Sequence, residues 1–154
     1  MQNFREELQE LVDSVIDAAG DIIEEEAVEY FKERFEEKEW NGEPWEPAKS
    51  PKKSGSLLVQ SSALVNSIRP TRRTRESVVI TAGYDDKVQY AEVHNEGFEG
   101  DVVIPAHTRI RKKKKQQVKE HVRHMVIPKR QFMGVTDELE ERITDKIATY
   151  INNL

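Results

Sequence analysis

Apolar side chains in the first forty residues recur at steps of three and four: Phe4, Leu8, Leu11, Val12, Val15, Ile16, Ala19, Ile22, Ile23, Ala27, Tyr30, Phe31 and Phe35. On a helix these positions share one stripe, and acids fill the opposite face. The spacing predicts one long helix, stopped by Asn41-Gly42, which tolerate the left-handed conformation of a helix end. At 1.5 Å per residue it would run roughly 55 Å, longer than a domain of this size is wide. It must therefore bend near Gly20 or project toward a partner. Phe4, Leu8, Leu11, Val15, Ala18 and Ile22 alternate steps of four and three, which suits a short coiled-coil seam or packing on the protein's own sheet.

Residues 41–56 hold three prolines and two glycines and read as a loop, with Trp45 as its anchor to the core. Leu57-Leu58-Val59 is a brief apolar run. Ser61 or Ser62 can cap a short helix carrying Leu64, Val65 and Ile68, closed by Pro70. The β-branched run 77–82, bounded by Gly83, predicts a strand. Residues 90–97 read as a helical turn ended by Gly97. A last helix begins at Thr136, with Asp137 and Glu138 at its positive end. Leu139, Ile143, Ile147, Tyr150 and Ile151 form its apolar stripe.

Between these helices the period changes to two. Strands at about 102–111 and 117–127 flank a turn at Lys112-Lys113-Lys114-Lys115, giving a β-hairpin over 102–127. Placing Ile110 opposite Val118 puts Ala106 opposite Val122, His107 opposite His121 and Arg109 opposite Lys119. One face is then apolar, with Ile104, Ala106, Ile110, Val118 and Val122. The other is basic, with His107, Arg109, Arg111, Lys119, His121 and Arg123. A slip of one residue would mix the faces, so the pattern favours this register. The whole reads as an α+β fold: a long N-terminal helix and a C-terminal helix packed on a small antiparallel sheet with a long basic hairpin.

The chain has 154 residues, which suits a single domain over 1–154. It has no cysteine, which excludes disulfides and thiolate metal sites. No apolar run approaches a membrane span, and the N-terminus lacks a basic-then-apolar signal, so a soluble protein without membrane contact is expected. The net charge of −5 conceals blocks of opposite sign. Residues 1–46 carry 16 acids and 4 bases, whereas residues 106–130 carry 10 bases and 1 acid. Such blocks direct contacts within the fold or between copies, or simply keep the protein solvated.

Catalytic signatures are missing. There is no glycine-rich phosphate loop, no H-E-x-x-H and no nucleophile elbow. The histidines are His94, His107, His121 and His124, and two of them sit among cations that would repel a metal ion. No catalytic residue, cofactor or metal site is expected. The basic run Arg111–Lys115 and the cluster Arg69, Arg72, Arg73 and Arg75 would bind phosphates without reading sequence, but neither contains aromatics for base stacking. The alternative for the run is a solubilising turn whose lysines discourage edge-to-edge aggregation.

Four motifs in order point to a family. They are Trp45-Glu46-Pro47, the segment Leu57 to Ile68, Tyr90-Ala91-Glu92-Val93-His94-Asn95-Glu96-Gly97, and Ile127-Pro128-Lys129-Arg130-Gln131-Phe132-Met133-Gly134. Together they resemble the phage virion morphogenesis and tail-completion proteins of the Mu-like and P2-like type. Ser62 replaces a common glycine, and Lys129 and Gln131 replace the usual alanine and proline. The resemblance implies a structural bacteriophage or prophage protein of the virion, made in the host cytoplasm, that joins head to tail or ends the tail. It implies no enzymatic activity. Its partners would be other head–tail connector or tail proteins and further copies in a ring, with free chains as monomers. A DNA-contacting neck or channel protein is the alternative. The interaction residues would be His107, Arg109, Arg111, Lys112, Lys113, Lys114, Lys115, Lys119, His121 and Arg123. Trp45, Leu64, Ile68, Tyr90, His94, Gly97, Pro128, Arg130, Phe132 and Gly134 would be structural, with His94 a buried hydrogen-bonding group.

Overall fold

The computed structural model describes residues 2–50, 55–59, 61–83, 88 and 90–154, so 51–54 of the expected loop and Gln60 of the second motif lie outside the described residues. The predicted N-terminal helix forms as α1 (Gln2–Glu37), continuous through Gly20. That glycine is buried where Arg73 crosses the helix, and a Cβ there would collide with the guanidinium. The core lies on the second half of α1, at Ala27, Tyr30, Phe31 and Phe35. The first turns project: Phe4 is 71% exposed, and Leu8, Leu11 and Val12 are also exposed.

The helix stops earlier than Asn41. Lys38 takes the left-handed φ of 62°, and its N–H donates to Arg34 O at 2.8 Å, satisfying one of the helix's last carbonyls. Asn41 (φ 51°) and Gly42 (φ 80°) instead make the two-residue turn of a small hairpin between β1 (Glu39–Trp40) and β2 (Glu43–Pro44). Asn-Gly is the favoured pair for such a turn because both residues need positive φ. Trp45 follows and anchors the loop as expected. Its ring meets Phe35 edge-on at 5.5 Å, and its Nε1 donates to Gln131 O at 2.8 Å.

The short helix α2 (Ala63–Asn66) buries Leu64, and the next apolar residue, Ile68, is buried too. Ser62 precedes the helix with a left-handed φ of 58° and makes no side-chain cap. Pro70 does not close the segment: Arg69–Arg73 is a strand, β3, antiparallel to β4 (Val78–Thr81). This pair packs on α1, where Arg73 bridges to Asp21 and Asp17, and Arg75 meets Asp13 at 2.6 Å. Helix α3 (Ala91–Glu96) ends at Gly97. Helix α4 (Asp137–Asn152) is capped by Thr136, whose hydroxyl accepts from Leu139 N–H at 3.2 Å and donates to Tyr30 Oη at 2.9 Å.

The α+β class holds, with long helices at both ends and antiparallel strands between. The strands form separate two-stranded ladders rather than the single small sheet expected. Helices α1 and α4 are joined by buried charge. Glu26, 2% exposed, pairs with Lys146 and lies 3.7 Å from Arg142 Nε. Arg142 forks onto Glu33 at 2.7 and 3.0 Å. That fork holds the Glu33 carboxyl below its ordinary range, as its hydrogen bonds favour the charged form.

Candidate functional site

The hairpin is longer than the sequence indicated. Strands β5 (Phe98–Ile104) and β6 (His107–Arg111) run out, and β7 (Lys114–Val118) and β8 (His121–Ile127) return. Each arm has about 14 residues and reaches about 45 Å at roughly 3.3 Å per residue. Beyond Ile104 the arms are exposed throughout, except for the half-buried Val118.

The register differs from the expected one. Ile110 faces Lys115, His107 faces Val118, Val103 faces Val122 and Ile104 faces His121. The expected pairs of Ile110 with Val118, Ala106 with Val122, His107 with His121 and Arg109 with Lys119 are absent. The cause is the turn. Lys112 (φ 49°) and Lys113 (φ 63°) close the hairpin as a two-residue loop in left-handed geometry, where a four-lysine turn was read. The shift is odd, so it exchanges the faces of one strand relative to the other, and neither face is purely apolar or basic.

Placed in this register, Arg109 donates from Nε to Gln116 Oε1 at 3.0 Å. Arg123 lies opposite Val102, and Lys119 falls between β7 and β8. The rings of His107 and His121 do not converge. Their Nδ1 atoms lie 2.9 Å from Pro105 O and Lys119 O, which only accept, so each Nδ1 carries the proton. His124 Nδ1 meets Asp101 across the strands at 2.9 Å. Val103, Val122 and Val126 are 58%, 63% and 48% exposed, and Ile110 is 74% exposed.

The predicted structural residues gather at the root of the hairpin. Arg130 is buried; its Nε donates to Glu46 O at 2.9 Å and its N–H to His94 O at 2.8 Å. It thereby clasps the Trp45 loop to α3. Pro128 follows β8 directly and is half-buried. Phe132 is 1% exposed and packs on Phe35 at 4.9 Å. Gly97 (φ 78°) passes so close to Lys129 that a Cβ would lie 3.0 Å from its backbone nitrogen. A Cβ on Gly134 would lie 3.0 Å from the Trp40 ring. His94 is half-buried, edge-on to Tyr90 at 5.7 Å, and Tyr90 is 40% exposed. Asn95, a spacer in the motif, was missed. Its Oδ1 accepts from both Phe132 N–H and Met133 N–H at 3.0 Å.

The charge blocks meet partly within the fold. Arg73 and Arg75 of the second basic cluster are spent on α1 acids. Among the described residues two surfaces are rich in acids, the first of them partly paired already. One is a groove of about 780 Å³ along α1, lined by Asp21, Glu24, Glu25, Glu29, Glu33 and Glu36. The other is a ledge on α4 formed by Asp137, Glu140, Glu141 and Asp145. Among the described residues no three His, Asp or Glu side chains are arranged to hold a metal ion, and no helix is long and apolar enough to cross a membrane.

The sequence profile of the phage virion morphogenesis family matches residues 2–152. The chain belongs to the phage virion morphogenesis family. Neither the curated proteins nor the solved structures gave a match. Membership gives the chain its setting: this member has a structural role in phage assembly.

Proposed function

We propose that the protein acts at the head–tail junction or the tail terminus, as one domain over 1–154, by docking onto other virion subunits and closing a ring of its own copies. The basic arm of one copy meets an acidic helical surface of the next, a head-to-tail contact that closes when the rotation between copies is cyclic. The observation that carries this reading is the arm itself. Arg109, Arg111 and Lys112–Lys115 are all exposed on a limb projecting from a body with two acidic surfaces. Free chains are monomers, ordered into the ring on connector or tail proteins in the host cytoplasm. No step of this role needs a cofactor or a reaction.

Reversing Lys112–Lys115 to glutamate tests it by complementation of a phage lacking the protein. The expected result is a sharp loss of infectious particles, with unjoined heads and tails by electron microscopy. Undiminished assembly refutes the reading. The absence of any acid in β6 or β7 also suits contact with DNA in a channel. Titration with duplex DNA over a salt series tests that alternative. It predicts affinity falling steeply with salt, and no binding at low salt removes it.

A further inference from the structure

An apolar groove of about 450 Å³ opens between α1, β4 and α4, lined by Ile23, Phe31, Val78, Ile80, Leu139 and Ile143. That space is ample for a large aliphatic side chain. Val135, 77% exposed, stands at its edge. Glu140 lines both this groove and the α4 ledge, so an apolar floor adjoins a row of carboxylates. None of Asp137, Glu140, Glu141 and Asp145 enters an ion pair among the described residues. Along α1, by contrast, Asp21, Glu24 and Glu33 already meet Arg73 or Arg142, and Lys32 sits among the rest.

A segment that satisfies both parts of this surface must carry one large apolar residue flanked by cations. The hairpin tip has that composition: Ile110, 74% exposed, shares its face of the arm with Lys115 directly across the ladder, and Lys112 and Lys113 close the turn just beyond. We propose that the apolar groove beside the α4 ledge receives the hairpin tip of a second copy, with Ile110 in the groove and Lys115 and the turn lysines Lys112 and Lys113 on Asp137, Glu140, Glu141 and Asp145. The proposal rests on the head-to-tail reading above and names its acceptor surface. Burial of Ile110 supplies hold, and the charges supply orientation and approach rate.

The chain lacks cysteine, so introduced thiols report contact directly. Disulfides form only where Cα atoms come within about 7 Å. Chains carrying Ile110→Cys are mixed with chains carrying Val135→Cys, and separately with chains carrying Glu25→Cys on α1 or Thr149→Cys as background. All four positions are exposed, so the fold is preserved. Oxidation is followed at high protein concentration and in virions assembled from the mixed chains. The expected result is a linked dimer from I110C with V135C, about tenfold above the T149C background, weakened by adding Glu140→Lys and Glu141→Lys. Linkage of I110C to E25C instead overturns the groove assignment and leaves tip docking intact. Linkage to neither position above background, in solution and in virions, overturns both.

Discussion

Replacing Arg142 with alanine removes three contacts at once. The guanidinium forks onto Glu33 at 2.7 and 3.0 Å, lies 3.7 Å from the buried Glu26, and sits 5.6 Å from the centre of the Tyr30 ring. In isolation each charged hydrogen bond would contribute about 1.5–3 kcal/mol. The Arg142 and Glu33 side chains are 30% and 31% exposed, so solvent screening brings the sum for R142A to about 2 kcal/mol. Glu26 keeps Lys146, which holds the loss below that of a stranded buried carboxylate. Arg142→Lys should lose about half as much, since an ammonium cannot fork. Urea titration followed by helical circular dichroism at pH 7 measures both. The acid limb gives a sign check. Glu33 has a depressed folded pKa, so its stabilisation is present above its ordinary value of 4.5 and fades as pH falls through the lowered one. The difference between wild type and R142A should therefore narrow below about pH 4.5. A loss under about 0.5 kcal/mol, or a difference that widens in acid, refutes the reasoning.

Two further outcomes follow from the backbone. Gly97→Ala places a Cβ at positive φ and 3.0 Å from Lys129 N, and should lower the urea midpoint by an amount equal to about 1–2 kcal/mol or more. Lys112→Asn with Lys113→Gly relieves two left-handed lysines and should slow amide exchange in β6 and β7 several-fold, while docking weakens through the lost charge.

The helices were legible because their apolar spacing is long and regular. Residues 2–37 and 137–152 sit where the three-four steps placed them, and the hairpin showed in its alternation. Strand β3 was not legible. Arg69-Pro70-Thr71-Arg72-Arg73 has no apolar face, and it is held by pairing with β4 and by the reach of Arg73 to α1. The register is not legible because Lys112-Lys113 lacks the Asn or Gly that normally marks a two-residue turn, whereas Asn41-Gly42 carries that mark and turns a hairpin in place of the expected helix stop. On the proposed interaction surface, the basic residues and their exposure followed from sequence. Their faces did not, because those depend on the register. The Asn95 acceptor was invisible as well, since one asparagine gives no sign of which distant amides it will meet.

The interruption in the hairpin ladder has a mechanical consequence. Pro105 has no N–H to give, and pairing resumes at His107 and Val118 in the same register. Tilting the limb at that gap severs no main-chain hydrogen bond, whereas bending it anywhere else does. The gap thus divides the arm into two stiff segments, with the root ladder setting its reach and the outer ladder free of main-chain ties to it.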